Sequence, residues 1–217
     1  MSATYLAEVL LIIPPILVAL SIHEAAHAWS ADLLGDPTAR LQGRLTLNPL
    51  AHLDPIGTVV LVVTRMVGWA KPVPVDVRNL KDPVRDMFWI AGAGPASNIM
   101  QAAVVGVGFR LFAEPGMQLF RTGQGGLLGG LLLMLHFYFY INIVLAWFNL
   151  LPVPPLDGSK IVMRFLDHRT RRIYMRTSRY GLLVLILLIF VFDETFFRIL
   201  MVPVGFTSYV LGGVQPF

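Results

Sequence analysis

The residues best able to do chemistry stand in one five-residue run, His23-Glu24-Ala25-Ala26-His27. On an α-helix, side chains four apart share a face, so both imidazoles can reach one ion. Glu24, beside them, is placed to take a proton from a metal-bound water. With five histidines in 217 residues, chance gives this spacing on the order of once in five hundred such chains. The blander alternative is a pair of histidines in a polar patch of a helical bundle. It fits poorly, because ionisable groups inside an apolar span are costly and serve function by default.

A catalytic zinc takes three protein ligands and keeps a fourth position open. Cysteine is absent, which excludes thiolate sites and disulfides and leaves His, Asp and Glu as donors. Asp157, His52, His136 and Asp54 are the candidates for the third place. Asp157 follows Pro152-Val153-Pro154-Pro155, where prolines interrupt an apolar helix. Irregular backbone at membrane depth is tolerated only where it lines protein or a water-filled cavity. Asp157 could instead cap the short helix that follows it. A set of two imidazoles and one carboxylate favours zinc among divalent metals.

The elements that must hold these groups belong to a membrane protein. Hydrophobic residues make up 56% and charged residues 14% of the chain, against about 25% charged in soluble domains. Four long apolar segments are expected to span: Leu6 to Leu34, Met87 to Ala113, Leu127 to Leu151, and Tyr180 to Met201. Pro14-Pro15 interrupts the first, and Gly35-Asp36-Pro37 stops it. Ile56 to Trp69 is too short for a standard span of about 20 residues and reads as a tilted or re-entrant element. Lys71 to Val77 alternates like an edge strand, its prolines keeping it from a central place. A shorter helix is expected over Asp157 to Leu166. The fold class is therefore an all-α polytopic bundle with a small strand-like cytoplasmic element, in one domain over 1–217. The first apolar run lacks a basic leader and a small-residue cleavage pattern, so it is expected to be retained.

Loop charge sets the orientation. Arg169, Arg171, Arg172, Arg176 and Arg179 place the segment from His168 to Arg179 in the cytoplasm, with Lys71 to Arg85. The segment from Glu114 to Gly126 falls on the far side, as do both termini. The net charge of +4 is thus topological. No basic face with interleaved aromatics points to nucleic acid.

HEAAH in a membrane helix, together with Asn149-Leu150-Leu151-Pro152-Val153-Pro154-Pro155-Leu156-Asp157-Gly158, resembles the site-2 protease family of intramembrane metalloproteases. GRLTLNP, the GWAKPVPV-like stretch and AGPASN narrow the likeness to its compact prokaryotic branch. The resemblance runs from about Ser21 to Lys160. It implies His23, His27 and Asp157 as ligands of one Zn2+ and Glu24 as the base. It also makes Asn98 and Asn149 candidates for positioning substrate. It further implies single-span membrane proteins as substrates, in the lipid bilayer of a prokaryotic cell membrane, with the active site nearer the cytoplasmic face. Larger members carry PDZ or CBS domains, and this sequence shows neither.

Two other classes compete. A non-proteolytic membrane scaffold or chaperone on the same fold is disfavoured by the retained Glu24. A metal transporter is disfavoured by the lack of an internal repeat and of paired broken helices. Hydrolysis within a membrane also demands a polar route for water. His27 is roughly 10 Å from the Leu34 end of its helix at about 1.5 Å per residue, so water is expected from the cytoplasm. A helical substrate must unwind locally, and the Val73 to Val77 segment could offer it an edge.

Overall fold

The computed structural model describes residues 3–57, 59, 70–121 and 126–213, with side chains over 11–57, 59, 70–111 and 126–213. The expected re-entrant element at Ile56 to Trp69 lies largely outside the described residues. Helix α1 (Ala3–Leu33) carries Pro14 and Pro15 within it. It ends as the sequence predicts: Gly35 takes φ 106°, the Gly35 N–H donates to Asp32 O, and the Asp36 N–H donates to Ala31 O. That is the paired Schellman arrangement, which a left-handed glycine permits. Two single-turn helices follow, α2 (Thr38–Leu41) and α3 (Pro49–His52).

Helix α4 (Pro83–Arg121) is 39 residues long, starting before and ending well beyond the expected span. Pro83 begins it, where a missing N–H costs nothing. Asp82 accepts from the Arg85 N–H, while Asp86 accepts from the Asp82 N–H, a reciprocal cap of the capping-box kind. The helix runs on through Glu114 to Arg121, where a loop is expected, and 122–125 lie outside the described residues. Helix α5 (Gly126–Asn149) stops at the proline segment, and α6 (Asp157–Val162) follows.

Two expectations are corrected in the last third. The Arg-rich segment is a helix, α7 (His168–Thr177), with Asp167 capping the N–H groups of Arg169 and Thr170. The single span expected from Tyr180 to Met201 is two helices, α8 (Gly181–Phe190) and α9 (Asp193–Gly212). The Phe192 N–H reaches back to Leu187 O, and a new helix starts with Asp193 and Glu194 in its first turn, where carboxylates suit the positive helix end.

Five stretches are long and apolar enough to cross a membrane: Leu11–Leu33, Pro83–Leu111, Gly126–Asn149, His168–Phe190 and Asp193–Gly212. Contacts decide how they alternate. His27 meets Ile90 and His23 meets Asn98, so α1 and α4 are antiparallel. Asn98 meets Asn142 and Gln101 meets Tyr138, so α4 and α5 are antiparallel as well. Arg110 of α4 donates to the Leu211, Tyr209 and Val210 carbonyls at the end of α9, so α4 and α9 run parallel. The chain between α5 and α9 therefore leaves and returns on one side. Gly181 sits against the Pro154 carbonyl, and α8, about 15 Å long at 1.5 Å per residue, reaches only partway across a hydrocarbon core of about 30 Å. Among the described residues, the long apolar helices α1, α4, α5 and α9 pack side by side as the bundle. Ala102, Phe139, Ile143 and Val204 fill the space between the last three, while Leu156, Leu185, Ile189, Phe196 and Leu200 seat α6 and α8 against α9.

The strand-like element is also corrected. Among the described residues there is no strand, only an isolated bridge between Leu53 and Ala70. The chain over 71–76 is irregular, and side chains rather than a neighbouring strand take up its polar backbone. The Arg44 guanidinium holds the Ala51, Lys71 and Pro72 carbonyls. Asp36 accepts from the Asp76 N–H at 2.8 Å and from the Asn79 amide. Pro72 and Pro74 have no N–H to offer a ladder.

Candidate metal centre

His23 and His27 lie one turn apart on α1 and face α4 and α6. Their Nε2 atoms are 3.0 Å apart. Asp157 Oδ2 lies 3.2 Å from His23 Nε2 and 3.1 Å from His27 Nε2. All three residues are buried. Among the described residues they form a group whose donor atoms could hold an ion.

The outer nitrogens show why the inner ones are free for a metal. His27 Nδ1 lies 2.6 Å from the Ile90 carbonyl, which can only accept, so the proton is on Nδ1. His23 Nδ1 lies 2.5 Å from Asn98 Oδ1, again an acceptor. Both rings therefore turn unprotonated Nε2 atoms toward a carboxylate oxygen. Three acceptors so close are unfavourable unless a cation lies among them. An ion with bonds of about 2.0–2.1 Å and tetrahedral angles sets its ligand atoms about 3.4 Å apart, slightly wider than the observed triangle. The residues fit a zinc ion.

Asp157 reaches this point because α5 is interrupted. It is the first residue of α6, whose cap position is Leu156 with no side-chain cap bond, so the capping role open to it in sequence is not the one it plays. Its second oxygen lies 3.3 Å from Lys160 Nζ. A Cβ on Gly158 would collide with the Leu150 carbonyl, so glycine lets α6 fold back under the end of α5.

Glu24 is buried beside the pair, and its Oε2 accepts from the Val73 N–H at 3.2 Å. The segment over 71–76 thus runs past Glu24, with the N–H between its two prolines spent on that carboxylate.

The other candidates lie elsewhere. His52 Nε2 is bonded to the Thr46 carbonyl, Asp54 accepts from the Gly57 N–H, and His136 stacks against Phe109 and Tyr140. Asn149 turns its amide back onto the Leu145 carbonyl. Asn98 stands behind His23, with both ends of its amide engaged within the bundle.

Asn142 is an addition that the sequence reading does not single out, and Gly94, part of the AGPASN stretch there, gains a specific contact. A Cβ on Gly94 would lie 2.6 Å from His23 Nε2 and closer still to His27 Nε2. Asn142 is fully buried and accepts from Asn98. Its signal in sequence is one amide between Ile141 and Ile143 in an apolar helix.

Residues 117–192 match the model of the family described as "Peptidase family M50", a stretch that contains Asp157. Two relatives are named "Putative zinc metalloprotease": YwhC of Bacillus subtilis and Rip2 of Mycolicibacterium smegmatis. The first is 38% identical over 173 residues, covering 80% of this chain and 77% of that protein. The second is 28% identical over 190 residues, covering 86% and 69%. No solved structure matches the chain.

Proposed function

The chain belongs to peptidase family M50, the site-2 protease family, and from that premise we propose that it is an intramembrane zinc metalloprotease acting on single-span membrane proteins. The coarser activity, metalloprotease, comes with the family. The observation that carries the finer reading is the convergence of His23 Nε2, His27 Nε2 and Asp157 Oδ2 inside a helical bundle, with Glu24 beside them.

His23, His27 and Asp157 would hold the ion. When bound, zinc lowers the pKa of a coordinated water to about 7 and polarises the carbonyl to be cleaved. The rest falls to the chain. Asn98 and the Ile90 carbonyl keep both Nδ1 atoms protonated and the rings fixed, as the outer partners of metal-bound histidines commonly do. Glu24 takes the proton from the attacking water and passes it to the departing amine. The Val73 N–H keeps one Glu24 oxygen in place, leaving the other for that traffic. Asn149, at the lip of the proline break, is the remaining candidate for holding the substrate backbone. A substrate helix must open locally before any peptide carbonyl is free, and the 71–76 segment is the nearest irregular backbone to the base. The active site faces the cytoplasm by the charge argument.

Metal analysis tests the ligand set. Wild type and Glu24→Gln should each carry about one zinc per chain, the expectation for a catalytic site of this kind, while Asp157→Ala and Asp157→Ser should carry far less. Undiminished zinc in both Asp157 variants would remove Asp157 from the site.

A further inference from the structure

We propose that Asn142, in the middle of α5, is a positioning residue for the metal centre. It sets the Asn98 amide the one way round that leaves His23 Nε2 unprotonated toward the metal. This rests on the reading of His23 as a metal ligand.

The Tyr138 backbone carbonyl only accepts, and Asn142 Nδ2 lies 2.9 Å from it. That end of Asn142 must be its NH2. Asn142 Oδ1 is then the acceptor, and it lies 2.7 Å from the Asn98 amide. The Asn98 group pointing at it must be Nδ2. Asn98 Oδ1 is consequently turned to His23 Nδ1, at 2.5 Å, and can only accept the Nδ1 proton. Each step fixes the next, from a carbonyl on α5 through α4 to an imidazole on α1.

Asn98 could not make this choice alone. Its oxygen and nitrogen ends are nearly the same shape, and turned about, its NH2 would face His23 Nδ1. The imidazole would then carry its proton on Nε2, where the metal should bind. Asn98 and Asn142 are both fully buried, so water does not compete for the assignment. The same burial argues against an incidental pair, since an unsatisfied buried amide is costly and polar groups in apolar spans are rare. His27 needs no such device because its Nδ1 faces a backbone carbonyl directly.

The experiment compares three full-length chains in detergent: wild type, Asn142→Leu, and Asn98→Asp/Asn142→Leu. Zn2+ affinity is read by competition with a chromophoric chelator, and site geometry by the absorption of Co2+-loaded protein. Leucine keeps the branching of asparagine, though it is bulkier, and frees Asn98 to turn. Affinity in Asn142→Leu should fall about 10–100-fold, the usual effect of losing an outer partner of a metal ligand. A carboxylate at position 98 accepts the His23 proton whichever way it turns, so the double variant should bind metal more tightly than Asn142→Leu and recover the wild-type Co2+ spectrum. Unchanged affinity in Asn142→Leu overturns the proposal. So does a double variant no tighter than Asn142→Leu, since the loss would then be one of packing. If wild type itself binds no zinc, it is the ligand assignment underneath that fails.

Discussion

At the centre of the molecule, two imidazoles are brought within 3.0 Å of each other, and each needs its own support. His27 leans on the Ile90 carbonyl and His23 on Asn98. Both rings also lie against a bare stretch of helix at Gly94. That contact gives a sharp prediction. Gly94→Ala should push the rings apart and strip both metal and activity, while Gly92→Ala, whose Cβ meets nothing within 4 Å, should leave both intact. Zinc content and cleavage rate on the two purified variants check it, and equal metal in both would mean the rings can yield. At this scale the ligands of α1 were legible because four-residue spacing is local. Asp157 was legible only through the proline break and the family likeness, since 130 residues separate it from His27. Asn142 was not legible, because a lone amide does not say which neighbour it will meet, and Gly94 was legible as a site for close helix contact but not as the floor beneath both rings.

Segments rather than single residues decide whether Glu24 is held in place. The irregular chain over 71–76 is anchored by Arg44 from one side and Asp36 from the other. Burial pushes the Asp36 carboxyl up. Hydrogen bonds from the Thr38 hydroxyl, the Asn79 amide, and the Asp76 and Thr38 N–H groups outweigh it and hold the group below the usual carboxylate range. A carboxylate depressed on folding stabilises the fold fully above its unfolded pKa, and that contribution is lost as pH falls through the folded value. Wild type should therefore lose thermal stability relative to Asp36→Asn as pH drops below about 4, and exceed it at neutral pH. Melting curves of both proteins in detergent decide this, and a constant difference across that range would contradict it. The period-two pattern of Val73, Val75 and Val77 points to a strand, but Pro72 and Pro74 strip one edge of its donors and the Val73 and Asp76 N–H groups are taken by Glu24 and Asp36. The break between α8 and α9 had a signal that apolar averaging hides: the adjacent acids Asp193 and Glu194 within the apolar run.

Over the whole molecule, α4 touches each of the other three crossing helices, so the site is a junction of α1, α4 and α6 hung on one central helix. The long apolar helices α1, α4, α5 and α9 were legible from hydropathy. The last was drawn out of place, because α8 is as apolar as a span and only contacts show that it packs back against α9. The orientation predicts that single cysteines at Leu127 and Thr170, introduced into this cysteine-free chain, label from opposite faces, with Thr170 facing the cytoplasm. Labelling from one face would undo the four-crossing alternation.

The most direct test of the central claim is cleavage of a single-span membrane protein by the purified chain in detergent, wild type beside Glu24→Gln. The substitution keeps size and leaves the ligands His23, His27 and Asp157 untouched, but removes the proton acceptor. General acid–base groups contribute about 10²–10⁴-fold. Wild type should cut, lose activity to a chelator and regain it with Zn2+. Glu24→Gln should keep its zinc and fall by that factor. Cleavage by Glu24→Gln at the wild-type rate, or wild-type cleavage indifferent to the chelator, would contradict the account.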